Sequence, residues 1–282
     1  MLDWIATATG ARAARRGPRI QSLWSGYGEI FRVVLDGGIA PTAIIKHVTP
    51  PLTRDSVSDA RKRRSYDVEA AFYGGLAPRC DDTCRVARMY ASRVTEDDWT
   101  FVFEDLDAAG FPGRCDDAEG RSLDACLRWL AAFHARFLGE QPAGLWAMGT
   151  YWHLATRLDE LAAIADRDLR DRAHDLDDQL AAARFQTILH GDPKEANFCF
   201  SRDGVAVAAV DFQYAGRGCA MKDVAYLLHG RDSRRELAAL DTYFQALRPL
   251  LVSDAAAIEA EWRALYPIAR LDFRRFLAGW RG

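Results

Sequence analysis

The pattern of apolar and polar positions in the first third of the chain reads as short strands plus one helix. Glu29 to Leu35 (EIFRVVL) is rich in β-branched and aromatic residues and runs into Asp36-Gly37-Gly38, which predicts a hairpin turn. Pro41 to Val48 (PTAIIKHV) reads as the returning strand. Ser56 to Leu76 starts charged and then places Val68, Ala71, Phe72 and Leu76 at helical spacing. Arg85 to Tyr90 and Thr100 to Phe103 read as two further strands. After Leu106 the period lengthens to that of a helix. Ser122 to Leu138 and Trp152 to Phe185 are predicted helical, with Leu123, Cys126, Leu127, Leu130, Phe133 and His134 on one face. Gln186 to Leu189 and Val205 to Val210 interrupt as short strands, and Arg234 to Leu277 returns to helix. This order predicts an α+β protein of two lobes. A small β-rich lobe spans residues 1–105; a larger, mostly helical lobe with a hairpin-like insert spans 106–282; a cleft lies between them.

Composition narrows the class. The 282 residues are 49% apolar and 27% charged, which excludes a disordered chain, a collagen-like repeat and a small disulfide scaffold. The net charge of -3 argues against a nucleic-acid partner. Six cysteines in a chain of this length, with no apolar targeting stretch and no run long enough to cross a membrane, lead to the expectation of a cytoplasmic protein with reduced thiols and no membrane partner. Cys80 and Cys84 have the spacing of half a metal site, but no second pair follows. Of 37 basic residues, 33 are arginine, leaving only Lys46, Lys62, Lys194 and Lys222. The two side chains are not interchangeable at phosphate sites, so the positions of the lysines are informative.

The densest chemistry lies in His190 to Phe200 (HGDPKEANFCF). Asp192 follows an apolar strand, Lys194 comes two residues later and Asn197 five later. The second apolar strand, Val205 to Val210, delivers Asp211-Phe212-Gln213. Two carboxylates, an amide and an ammonium are thereby expected at the ends of two adjacent strands. Carboxylate and amide oxygens are hard ligands of the kind Mg²⁺ takes, and an ammonium beside them can neutralise a phosphoryl group in transfer.

These segments resemble the protein-kinase-like fold in its small-molecule branch, the aminoglycoside phosphotransferases, choline kinases and ecdysteroid-kinase-like proteins. His190-Gly191-Asp192 to Asn197 resembles the catalytic loop, and Asp211-Phe212-Gln213 the metal motif. Lys46 is similar to the strand lysine that holds nucleotide phosphates, and Glu69 to the helix glutamate that pairs with it. Phe101 to Leu106 (FVFEDL) resembles the hinge, which puts Glu104 and Leu106 at the adenine through backbone contacts. Gly26-Tyr27-Gly28-Glu29 stands where a phosphate-covering loop belongs, and Lys222 to Ala225 resembles the structural segment after the metal aspartate. The likeness runs from Ser25 to about Leu228, and in texture is nearest to the ecdysteroid-kinase-like group through Asp211-Phe212-Gln213 and the segment ending KDVAYLL.

The resemblance implies an ATP-dependent kinase acting on a hydroxyl of a small molecule, with a nucleotide-binding first lobe and a catalytic, acceptor-binding second lobe. Asp192 is the expected catalytic base, with Lys194 on the γ-phosphate, Lys46 on the α/β-phosphates, and Asn197 and Asp211 on Mg²⁺. Two departures stand out. Gly26 and Gly28 make a glycine-poor loop, and Gln213 replaces the usual glycine or acid, which leaves one Mg²⁺ or two open. A nucleotide-binding module without turnover is the alternative. A protein kinase is disfavoured by the short span from Asp211 to KDVAYLL, which leaves no room for a long activation loop. His190 is read as a structural histidine. Trp146, Tyr151 and Trp152 read either as core or as an aromatic acceptor pocket, one version of which binds a quaternary amine through cation–π contacts.

Overall fold

The computed structural model describes residues 1–23, 26–50 and 57–280; Ser25 and Ser56, where the phosphotransferase likeness and the second predicted helix begin, lie outside them. The chain opens with α1 (Leu2–Thr9) and then builds an antiparallel sheet from β1 (Ala13–Ser22), β2 (Gly28–Asp36), β3 (Thr42–Val48), β4 (Met89–Val94) and β5 (Trp99–Glu104), in the order β1-β2-β3-β5-β4. Phe31, Val33, Leu35, Ala43, Ile45 and Val102 are buried together with Ile5 of α1. The long helix α2 (Val57–Gly75) contributes Glu69 and Phe72 to the interior that the sheet part shares with the helical part.

The remainder is helical around short strands: α3 (Arg121–Arg136), α4 (Leu158–Ala162), α5 (Arg167–Asp171), α6 (Ala173–Ala181), β6 (Thr187–Leu189), β7 (Phe198–Phe200), β8 (Val207–Ala209), β9 (Gly216–Gly218), α7 (Met221–Leu227), α8 (Ser233–Leu247) and α9 (Ala255–Gly279). The predicted face of α3 is buried throughout, from Leu123 to His134. Trp129 and Phe133 of that helix meet Phe72 and Phe212, whose rings stack at 3.8 Å and tie α2 to the residue after Asp211.

The structure corrects the sequence reading in several places. The strand expected at Arg85 to Tyr90 forms at Met89–Val94, because Arg85 and Val86 pair instead with Ala209. β1 escaped notice because it is an edge strand with almost every side chain exposed, and Pro18 interrupts its ladder between Arg16 and Arg19. Trp152 to Phe185 is not one helix. Asp166 accepts the Leu169 N–H at 3.1 Å and starts a new one, as aspartate tends to do. The tail divides at Arg248 to Asp254, where Pro249 enters a tight turn and Asp254 takes a left-handed φ of 56°. The insert is two separate ladders, β6 with β9 and β7 with β8, rather than adjacent strands of one hairpin.

Candidate active site

β3 places Lys46 opposite Ile30 and Phe101, with its side chain almost wholly buried. Its ammonium lies 2.9 Å from Glu69 Oε1 on α2 and 2.9 Å from Asp211 Oδ1. Strand, helix and the segment after β8 therefore meet on one cation. Burial pushes the Glu69 carboxyl up to about 7 despite Lys46 beside it. Burial also works against an ionised Asp211, yet the Lys46 ammonium holds that carboxyl below the usual range. Asp211 adopts φ 69°, a left-handed conformation rare outside glycine, and the stacked Phe212 with the Lys46 bond constrains it there.

The turn at His190-Gly191-Asp192 is fixed from three sides. Gly191 has φ 85°, and a Cβ there would stand 2.0 Å from the Tyr214 carbonyl oxygen, so only glycine fits. Asp223, fully buried on α7, accepts the His190 N–H at 2.7 Å and the Gly191 N–H at 3.1 Å. His134 of α3 stands 3.3 Å from the same carboxylate and 2.9 Å from the Tyr243 hydroxyl. Burial pushes His190 down, which favours the neutral ring. Its Nε2 lies 3.0 Å from the Val210 carbonyl, and its Nδ1 accepts the Asp192 N–H at 3.3 Å. The histidine joins two backbone segments, as the sequence reading expected of a structural residue.

Asp192 stands at the end of this turn with little exposure. Asn197 donates its amide to the Asp192 carbonyl at 2.8 Å and to its Oδ2 at 3.1 Å. Lys194 reaches the same Oδ2 at 3.0 Å. Burial pushes the Asp192 carboxyl up to about 6, against the pull of Lys194 and of a hydrogen bond from Tyr226. Burial disfavours the Lys194 ammonium, but Asp192 more than restores it and raises its proton affinity. Glu195 takes no part in that pair and is held by Arg231 at 3.0 Å. Lys46, Glu69, Asp211, Asp192, Lys194 and Asn197 thus join in two hydrogen-bonded groups.

The remaining candidates sit at the edges. Gly26 and Tyr27 precede β2 and Gly28 opens it, where a Cβ on Gly28 would meet the His47 carbonyl at 2.1 Å. The Tyr27 side chain is buried against the Asp59 carboxylate, so this residue can offer a ligand only its backbone. The Glu104 side chain pairs with Arg85 and accepts the Arg88 N–H at 3.1 Å. The Leu106 carbonyl is taken by the Phe111 N–H at 2.8 Å. Lys222 is fully buried, 3.5 Å from Asp272 and 3.8 Å from Asp177. Of the aromatic trio, Trp152 is core against Phe273 and Trp146 donates its indole N–H to the Gln213 carbonyl at 2.9 Å. Of the three, only Tyr151 adjoins the His190-Gly191-Asp192 turn, its N–H donating to the Gly191 carbonyl at 3.0 Å. The sequence reading names Asp223 and Tyr226 only as parts of the structural segment KDVAYLL, and Tyr214 not at all. Tyr226 lies three residues after Asp223 on α7, a helical spacing that could have pointed to it.

A sheet part and a helical part enclosing this set of groups define the kinase-like phosphotransferases. The sequence matches the model of the phosphotransferase enzyme family (APH) over residues 51–267, and the chain belongs to that family. Its fold is similar to that of the macrolide 2'-phosphotransferase of Brachybacterium faecium, at 16% identity and a TM-score of 0.54 over 96% of this chain and 91% of that one. It is similar also to an aminoglycoside phosphotransferase of Streptomyces rimosus solved with ADP and streptomycin, at 17% identity and a TM-score of 0.50 over 88% of this chain and 92% of that one. No curated protein matches. Among the described residues no helix is long and apolar enough to cross a membrane.

Proposed function

We propose that this phosphotransferase moves the γ-phosphate of ATP to a hydroxyl of a small molecule in the cytoplasm. The observation that carries the reading is the meeting of Asp192, Asn197 and Lys194 on one loop with the Lys46–Glu69–Asp211 group across the cleft. Residues 1–105 serve as the nucleotide-binding lobe and 106–282 as the catalytic and acceptor-binding lobe. Adenine meets the backbone around Glu104 and Leu106, with the Leu106 N–H as the donor, since its carbonyl is engaged. The backbone of Gly26 to Gly28 covers the phosphates.

The donor set fits Mg²⁺. Asp211 keeps its second carboxylate oxygen free of hydrogen bonds from the described residues, and Asn197 turns its amide nitrogen to Asp192, leaving its carbonyl oxygen as a ligand. Bound there, the ion supplies charge neutralisation on the phosphates. Lys46 holds the α/β-phosphates while Glu69 keeps its ammonium in place. Asp192 accepts the acceptor's hydroxyl proton, and its raised proton affinity suits it to that work near neutral pH. Lys194 holds Asp192 in the resting site and meets the γ-phosphate as charge builds there. The test is a library of hydroxylated metabolites screened with γ-labelled ATP and Mg²⁺. Label should appear in an acceptor with the wild-type protein and not with Asp192→Asn; label transfer at equal rate by both proteins contradicts the assignment.

A further inference from the structure

Beside Asp192 stands a wall of tyrosines. The Tyr151 ring lies 5.8 Å from Tyr214 and 5.6 Å from Tyr226. Tyr226 hydrogen-bonds Asp192, and the Tyr214 carbonyl packs on Gly191. Arg157 stacks on this wall, 5.5 Å from the Tyr151 ring, 5.4 Å from Phe276 and 5.2 Å from Trp280. Of the aromatic trio named from sequence, Tyr151 thus already stacks on a cation of the chain itself. Arg157 is satisfied, donating to the Tyr151 carbonyl at 2.6 Å and to Glu160 at 2.9 Å.

Arg61 of α2 is not. It reaches across to the helical part, donating to the Thr156 carbonyl at 2.6 Å and to Ser58 Oγ at 3.3 Å. Its Nε is buried with no acceptor, and it forms no ion pair with any described carboxylate. Glu160 belongs to Arg157, and Asp159, the other acid near it, makes no ion pair with it. Burial first and the Arg157 charge second disfavour its ionised form, and Tyr214 stands on the same wall with its ring 5.8 Å from that of Tyr151. A guanidinium placed next to another, with a donor left over, lacks an anion.

We propose that Arg61, with Arg157 and Tyr214, forms an anion subsite in the acceptor pocket, so that the acceptor carries a carboxylate or a phosphate ester besides its reacting hydroxyl. This rests on the phosphotransferase reading above and sets the acceptor apart from a polycation. The nucleotide's phosphates lie with Lys46 and Lys194, so Arg61 should not affect them.

The experiment saturates wild type, Arg61→Gln and Arg61→Lys with Mg²⁺ and a non-hydrolysable ATP analogue, then titrates glycerol, glycerate and glycerol 3-phosphate by calorimetry. Wild type should bind at least one of the anions roughly tenfold or more tighter than glycerol, the range for a charge-assisted hydrogen bond. Preference for glycerate identifies a carboxylate, and preference for glycerol 3-phosphate a phosphate ester. Arg61→Gln should lose the preference with unchanged nucleotide affinity, and Arg61→Lys should keep part of it. Failure of wild type to bind either anion, no preference over glycerol, or a preference that survives in Arg61→Gln overturns the subsite. Failure of the broader reading is separate: wild type would then not bind the nucleotide analogue, and the same titration on nucleotide-free protein still decides the subsite.

Discussion

Lys46 and Lys194 both end on a carboxylate of the same cleft, yet their surroundings differ. The Lys46 side chain is 5% exposed, and two carboxylates from two different elements close on it. The Lys194 side chain is 44% exposed and has one carboxylate partner, two residues away on its own loop. On the sheet side charge is fixed by tertiary packing, because moving Lys46 would strand Glu69 unpaired in the interior. On the helical side the ammonium is held locally and is partly open to solvent, so it can move more freely than Lys46 can. A rigid group on the sheet side and a more adjustable one on the helical side follow from this difference, and substitutions in the two should fail in different ways.

The largest effect belongs to the residue that the two sides share. Asp211→Ala removes a partner of Lys46 and the proposed metal ligand together, and phosphate transfer should vanish in a labelled-ATP assay. Asp192→Asn should slow turnover at least about a hundredfold while the nucleotide dissociation constant stays within about twofold, since its partner is the hydroxyl. The pH profile sharpens this contrast. Burial raises Asp192 to about 6, and the ionised form is the one that accepts a proton, so kcat should fall as pH drops through that value. The residual activity of Asp192→Asn should lack this acid limb.

Next come the lysines themselves. Lys46→Ala should weaken nucleotide binding as well as rate. Lys194→Ala should mainly lower kcat, on the order of tenfold to a thousandfold, with nucleotide affinity retained. Equal losses of affinity in both variants would erase the contrast between the two groups. The smallest effect is expected from Lys194→Arg, which should recover part of that kcat, because a planar guanidinium does not reproduce a compact ammonium.

Much of this was legible in the sequence because it is local. The hairpin of β2 and β3, the apolar face of α3 and the spacing from Asp192 to Asn197 are each written in a short window, and the structure contains them. The pairing of Lys46 with Glu69 needed the family likeness, since 23 positions separate them. What stayed hidden depends on edges and on distant packing. β1 buries too little for its pattern to show, and the aspartate that restarts the helix at Asp166 sits inside a pattern that reads as one long helix. Asp223 could be placed in a structural segment, but its grip on the His190 and Gly191 N–H groups is a contact across 33 and 32 residues. Arg61 gave no signal among so many arginines, because its place beside Arg157 and its unpartnered Nε arise only from tertiary packing.

In the proposed function Asp211 completes the nucleotide site and Asp192 centres the hydroxyl site. Titrating a non-hydrolysable ATP analogue into wild type, Asp211→Ala and Asp192→Asn, with and without Mg²⁺, separates the two directly. Mg²⁺-dependent binding should be strong in wild type, lost in Asp211→Ala and unchanged in Asp192→Asn; Mg²⁺-dependent binding that survives in Asp211→Ala, or is lost in Asp192→Asn, would contradict it.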